Sequence, residues 1–305
     1  LQSENSASTI IGYNSQGVVG PGWNVVNYGD YNSNGITDIL WANENSGQVV
    51  WWDLADGGQN TVHSLGNIGP EWKAIPSYGN NASTYSPTPP LWYNTSTCQV
   101  VRWEISNGEV VSTTEVGRAD PNAGWEALGS SSGKIYWRNQ QTGETGYWSG
   151  SSSANQSWTR LENRGSDWKF LGLGDFANDD SSTSSYPQYS TNRVNGTLWQ
   201  NMKTGEVSTG YDIVTFTVYS WFYTTVSQSY ATRTLGYAAP GWEATIGQFT
   251  SQPSGQILGN PPRGSVTDSI IWHNQQTGEI LVWDVGNGPG AFHTLNTVSS
   301  EWNIL

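Results

Sequence analysis

The stretch Asp30-Tyr31-Asn32-Ser33-Asn34-Gly35-Ile36-Thr37-Asp38 is the sharpest local motif of the chain, with oxygen donors spaced about one glycine. Side-chain oxygens fall at its first, third, fifth and ninth places, and Gly35 at the sixth allows a tight turn. A hard cation such as Ca2+ is held by a set of this kind. Asp30, Asn32, Asn34 and Asp38 would supply side-chain oxygens and Ile36 a backbone carbonyl. The competing reading is an Asx-rich turn between strands, in which the same side chains bond their own backbone. Only Asp30 and Asp38 among the four carry charge, so the spacing predicts one cation site of modest affinity.

A second set of residues could bind rather than react. Trp-x-Asn occurs five times, at Trp41/Asn43, Trp92/Asn94, Trp137/Asn139, Trp199/Asn201 and Trp272/Asn274. An indole face beside an amide suits a sugar ring, whose apolar face stacks while its hydroxyls take polar partners. Evenly repeated sites of this kind would bind multivalently. The alternative is that tryptophans at recurring positions are packing between repeats. For catalysis the chain offers no concentrated constellation. His63, His273 and His293 are scattered, Cys98 stands apart as a packed thiol on a strand, and no acid/base pair separates from the Asp30 turn. No catalytic residue is assigned, and a non-enzymatic function is expected.

These residues sit on a repeat. Thr-Gly-Glu follows Trp-x-Asn at a fixed offset at residues 142–144, 204–206 and 277–279, with Ser46-Gly47-Gln48 as a variant. Eleven residues after the first tryptophan comes Trp52, Trp103, Trp148 or Trp283, and in the fourth copy Tyr211 stands one place later. A further tryptophan opens each unit at Trp23, Trp72, Trp125, Trp168 and Trp242, and recurs at Trp302. Fifteen of the eighteen tryptophans fall on this template, which makes self-similarity the main architectural signal. Within unit 1 the runs 23–28, 39–42, 49–53 and 61–65 are short, β-branched or aromatic, and bounded by Gly, Asn and Asp. Four such strands in a meander make a propeller blade, so the expectation is an all-β propeller of about five blades over residues 20–305.

DYNSNGITDILW, together with the tryptophan anchors and the Thr-Gly-Glu turn, resembles the FG-GAP or VCBS type of propeller repeat. Such repeats carry DxDxDGxxD calcium loops and occur in integrin-like heads and in propeller lectins, which bind sugars between blades. The resemblance spans residues 20–305, but the metal motif is intact only in unit 1. Residues 175–180 hold a degraded copy without the glycine, and unit 5 keeps only residues 264–268. The resemblance therefore implies one calcium, and recognition of glycans or cell-surface components.

Composition bounds the partners. A net charge of −13 disfavours nucleic acid, whose phosphates need a basic field. No run is long enough to span a membrane. The sequons at Asn81, Asn94, Asn155 and Asn195 are glycosylation sites only where the source glycosylates, and so Asn/Ser/Thr-rich a chain holds several such matches by accident. The extracellular or cell-surface location is what the resemblance implies. The chain opens at Leu1 with neither a charged n-region nor an apolar h-region, and reads as a processed or excerpted segment.

Three stretches depart from the repeat. Residues 1–19 resemble the last strand of a unit, and residues 302–305 open a sixth unit that stops after one strand, so the chain ends would form an extra blade or one shared with a second copy. Unit 4 carries a polar insertion, residues 177–196, and an alternating aromatic stretch, residues 211–230, expected to form a long hairpin. These features support an alternative function, a self-assembling extracellular filament or surface layer. A propeller glycoside hydrolase or lyase is a second alternative.

Overall fold

The computed structural model describes residues 18–54, 61–78, 89–150, 155–174, 181–182, 188–220, 223–239, 241–247, 269–274, 276–284 and 292–297. Both expected chain-end strands, apart from residues 18–19 of the first, lie outside these. So do Asn81, residues 175–180 and residues 264–268. Among the described residues there is no α-helix.

The strands form five antiparallel sheets, each a meander, and these are the five blades of a β-propeller. Blade 1 is β1 (Trp23–Gly29), β2 (Asp38–Asn43), β3 (Gln48–Asp53) and β4 (Thr61–Asn67). Blade 2 is β5 (Trp72–Ile75), β6 (Leu91–Asn94), β7 (Gln99–Ser106) and β8 (Glu109–Arg118). Blade 3 is β9 (Trp125–Ser131), β10 (Lys134–Asn139), β11 (Glu144–Ser149) and β12 (Ser157–Asn163). Blade 4 is β13 (Trp168–Gly174), β15 (Gln188–Asn201), β16 (Glu206–Ser220) and β17 (Tyr223–Tyr237), with the two-residue β14 (Ser181–Ser182) paired to β15. Blade 5 is β18 (Trp242–Gly247), β19 (Ser269–Asn274), β20 (Glu279–Asp284) and β21 (Phe292–Thr297). Contacts gather blades 1–3, within residues 14–166, into one compact unit and blades 4 and 5, within residues 167–305, into another.

Every blade begins on the tryptophan that opens its repeat, and that residue pairs with the asparagine of Trp-x-Asn: Trp23 with Asn43, Trp72 with Asn94, Trp125 with Asn139, Trp168 with Asn201 and Trp242 with Asn274. The asparagine then builds the turn to the next strand. In blade 3 Asn139 Oδ1 accepts the amides of Gln141 at 3.0 Å and Thr142 at 2.9 Å, while its carbonyl accepts the Gly143 amide at 2.8 Å. Thr142 Oγ1 accepts the Glu144 amide at 3.2 Å. The other four blades repeat the asparagine bonds. The residue after this Thr, or after Ser46 in blade 1, has a left-handed backbone: Gly47, Gly143, Gly205 and Gly278 at φ between 71° and 75°, and Cys98 at 54°. Cys98 is thus a turn residue ahead of β7, not the strand residue expected, although it is buried as expected.

Cores lie between consecutive blades. Leu40, Val49 and Trp51 of blade 1 pack on Trp92, Val101 and Trp103 of blade 2. Ile75, Tyr93 and Val100 of blade 2 pack on Ile135 and Trp137 of blade 3. In the other unit Leu198, Val207 and Leu235 of blade 4 pack on Ile270, Trp272 and Trp283 of blade 5. In blades 2 and 3 the middle residue of Trp-x-Asn also ties the blade to the chain that follows it. Tyr93 donates its hydroxyl to the Trp125 carbonyl at 2.8 Å, and Arg138 Nη2 donates to the Gly165 carbonyl at 2.7 Å.

Blade 4 differs from expectation. Residues 188–196, assigned to a polar insertion, are the first half of β15, so the long hairpin of β16 and β17 has a third strand beside it.

Candidate functional site

The acidic turn joins β1 to β2, with Asp38 opening β2. Asp38 is fully buried and Asp30 nearly so. Asp30 receives the Asn34 amide on Oδ1 at 3.0 Å and the Gly35 amide on Oδ2 at 2.8 Å. Asn32 Oδ1 accepts the Asn34 amide at 3.1 Å, and Asn34 Oδ1 accepts the Ile36 amide at 2.7 Å. Asp38 accepts the Tyr31 amide at 2.9 Å and the Leu54 amide at 3.1 Å. The Asx-turn reading is therefore realised, with Gly35 at φ 83° and Ser33 at 62°. It does not displace a cation, because a carboxylate or amide oxygen bonded to one N–H keeps a second lone pair.

The structure adds Asp53, which the sequence reading passed over. It closes β3, and its Oδ1 accepts from Asn34 Nδ2 at 3.3 Å. Its Oδ2 stands 3.9 Å from His63 Nε2, and the His63 ring stacks 4.2 Å from Trp51. Burial raises the Asp38 carboxyl above its ordinary value, and the charges of Asp53 and Asp30 raise it further, against the lowering effect of the Tyr31 and Leu54 amides. Beside them the Tyr31 hydroxyl is buried without a hydrogen-bond partner among the described residues. This donor set fits a hard cation in two respects: it is all oxygen, and it holds negative charge that raises the Asp38 carboxyl. The acidic side chains alone do not converge, since no group of three His, Cys, Asp or Glu able to hold a metal occurs among the described residues. A cation here would depend on the amide oxygens of Asn32 and Asn34 and on backbone carbonyls.

The five Trp-x-Asn pairs have other work. Trp41, Trp92, Trp137, Trp199 and Trp272 are all buried, between 0% and 6% exposed, so none offers an open ring face for a sugar. Trp41, Trp92 and Trp137 instead pack against Trp52, Trp103 and Trp148 with ring centroids 5.1, 5.0 and 4.3 Å apart. The side-chain oxygens of Asn43, Asn94, Asn139, Asn201 and Asn274 are each taken by two turn amides. Asn94 is also buried, which is at odds with a glycan attached to it. Asn155 is exposed, and Asn195 lies within β15.

Space for a ligand lies elsewhere. Blades 2 and 3 are joined by the bridge of Ser77 to Ser130, with the Ser130 amide on the Pro76 carbonyl at 2.8 Å and the Tyr78 amide on the Ser130 carbonyl at 2.9 Å. Beside this junction opens a cleft of about 410 Å3. Arg102 and Glu104 stand two residues apart on β7, so they share one face of the strand, and Arg102 Nε donates to Glu104 Oε1 at 2.7 Å. The other guanidinium nitrogens and Glu104 Oε2 have no protein partner among the described residues. Across the cleft the β9–β10 turn brings Lys134 and the buried Ser131 hydroxyl, which also lacks a partner among the described residues. Leu91, Val116 and Ile135 add apolar lining. None of these residues is marked by the repeat, because the cleft is built from side chains that differ from blade to blade. A smaller groove of about 220 Å3 between blades 4 and 5 is lined by Tyr237, Trp242, Trp272 and Trp283 and carries no charge.

No family model matches this chain, and comparison with curated proteins and with solved structures finds no similar one.

Proposed function

We propose that this chain is an extracellular, non-enzymatic binding protein that recognises glycans in the cleft between blades 2 and 3, with a structural calcium at the β1–β2 turn. The observation that carries the reading is the Arg102–Glu104 pair above an apolar lining. A sugar diol donates and accepts at adjacent hydroxyls, and a guanidinium beside a carboxylate presents the matching donors and acceptor at fixed spacing. Leu91, Val116 and Ile135 suit the C–H face of the ring, and the volume falls within the ~300–1,000 Å3 of small-molecule sites. The two backbone bonds between blades 2 and 3 hold the walls in place, so little ordering cost falls on binding. Asp30, Asn32, Asn34, Ile36 and Asp38 would hold the calcium, with Asp53 beside them, and the ion would fix the turn rather than touch the ligand. The likeness of this turn to FG-GAP and VCBS repeats supports the same assignment.

The test is a glycan array followed by titration calorimetry of the best ligand. Arg102→Ala and Glu104→Gln are each expected to weaken it at least tenfold. Trp41→Phe, at the equivalent buried position of blade 1 and no part of the cleft lining, is expected to leave affinity within about twofold, since a site without shared partners contributes little. Equal loss in all three variants would show that the cleft is not the site. Release of reducing sugar by the purified protein would replace the reading with a hydrolase.

A further inference from the structure

Blade 4 extends past the length of its neighbours. Its pairing with β13 ends at Gly174 opposite Gly196, yet β15, β16 and β17 continue together. β15 remains paired to β16 as far as Gln188 opposite Val218, and β16 to β17 as far as Ser220 opposite Tyr223. At about 3.3 Å per residue, the eight or so further residues carry the sheet of β15, β16 and β17 roughly 25 Å beyond the blade, with the two-residue β14 on the other side of β15. β17 is the last strand of this sheet, and no strand pairs with its outer side among the described residues. Fifteen residues of β17 therefore present one row of backbone N–H and C=O groups on that side.

Exposed edges are ordinarily blunted by charge, proline, bulges or shortness. The outer strands of the other blades follow this rule. β4, β12 and β21 are seven, seven and six residues long, and the ten-residue β8 carries Glu109, Glu115 and Arg118. β17 lacks these devices over its outer two thirds. Tyr223 to Thr232 contains no charged residue and no proline, in a chain of net charge −13. The pairing to β16 runs without a bulge from Ser208 opposite Thr234 to Val218 opposite Thr224.

We infer that β17 is an assembly edge, and that its occupant is β17 of a second copy, added antiparallel about a two-fold axis. The sequence of the strand fits its own reverse. With the axis at Gln228, Val226 stands opposite Tyr230, Thr224 opposite Thr232 and Ser227 opposite Ser229. With the axis at Ser227, Thr224 stands opposite Tyr230 and Thr225 opposite Ser229. Both registers place β-branched, aromatic and hydroxyl residues together, which favours cross-strand pairing, and neither sets Arg233 against itself. A foreign peptide could add to the same edge but would have no such register built in. The self-paired interface is isologous and closes at two copies, joining the two extensions into one continuous sheet through β17.

Light scattering behind a sizing column, over a range of protein concentrations, should show a species of twice the 33.3 kDa chain mass. Amide exchange at 223–232 should slow as that species forms. Ser227→Glu sets like charges together at the axis and is expected to halve the apparent mass. Successive amides along a strand point to opposite sides, so one of Thr225→Pro and Val226→Pro removes an outward N–H and leaves the β16 ladder whole. Whichever of the two keeps the parent melting temperature should be monomeric. A monomer at every concentration, or a dimer that survives Ser227→Glu and the folded proline variant, overturns the inference. So does a dimer whose slowed amides lie in residues 1–17 or 298–305.

Discussion

Cys98 occupies a backbone conformation that glycine supplies in the other four blades, and the comparison shows what the Thr-Gly-Glu signature is for. At Gly143 an added Cβ would lie 2.4 Å from the Arg164 carbonyl oxygen, and at Gly205 2.2 Å from that of Ala238. The glycine thus answers two demands, the left-handed turn and the close passage of the chain toward the next blade. Gly133, in the β9–β10 turn, meets only the first, since φ is 74° and nothing lies within 4 Å of its added Cβ. Gly133→Ala is therefore expected to cost about 1–2 kcal/mol, the strain of a left-handed alanine. Gly143→Ala has the same φ of 72° and must also displace a carbonyl, so its loss should exceed that of Gly133→Ala by at least ~1 kcal/mol. Urea unfolding of the two variants decides it, and equal losses would mean that the close passage is not a constraint. The positions of the repeat were legible because identical turns need identical residues. Their purpose was not, because a tryptophan beside an asparagine is equally the composition of a sugar platform and of a buried ring next to a capped turn. Only the burial of Trp92, Trp137 and Trp199 separates the two.

Among the elements, the β1–β2 turn draws its chemistry from a third strand. Asp30 and Asp38 lie eight residues apart in one motif, whereas Asp53 reaches the turn from the far end of β3 through strand pairing, which spacing along the chain does not disclose. The strand β15 escaped for a related reason: residues 188–195 are polar and alternate weakly, and they are strand because β16 offers a ladder to pair with. The turn also has a pH signature. Its groups are Asp38, the carboxylates of Asp30 and Asp53 that raise it, and the Tyr31 and Leu54 amides that lower it. A carboxyl raised in the folded state binds its proton more tightly there than in the unfolded chain. Its effect is a loss of stability as pH climbs through the interval above its ordinary value of 3.8. A bound cation stabilises the ionised form and reverses that loss. Thermal unfolding should thus show calcium raising the melting temperature over chelator at neutral pH, with the gap closing in acid as the Asp38 carboxylate takes up its proton. Identical curves with calcium and chelator at neutral pH would remove the cation from the proposal.

For the whole molecule, charge sets when two copies can meet. Each chain carries −13, and a compact chain of 305 residues has a radius of gyration of roughly 19 Å, so the centres of two touching copies stand at least about 40 Å apart. Two such charges in water at that distance repel by about 17 kcal/mol without screening. With a Debye length of about 30 Å at 0.01 M salt several kcal/mol remain, and with about 8 Å at 0.15 M only ~0.1 kcal/mol does. An edge-to-edge contact of about ten backbone hydrogen bonds, each worth a net ~0.5–1.5 kcal/mol, totals about 5–15 kcal/mol. The cost of association, about 4–15 kcal/mol, reduces this to a few kcal/mol, less than the repulsion at the lower salt and more than that at the higher. Pairing through β17 is therefore expected to be absent at the lower salt and present at the higher. Because Tyr223 to Thr232 is uncharged, further salt should change it little once the long-range repulsion is screened. Sedimentation equilibrium across this range checks the expectation. An association strongest at 0.01 M salt would mean that oppositely charged patches, not the uncharged edge, bring the copies together.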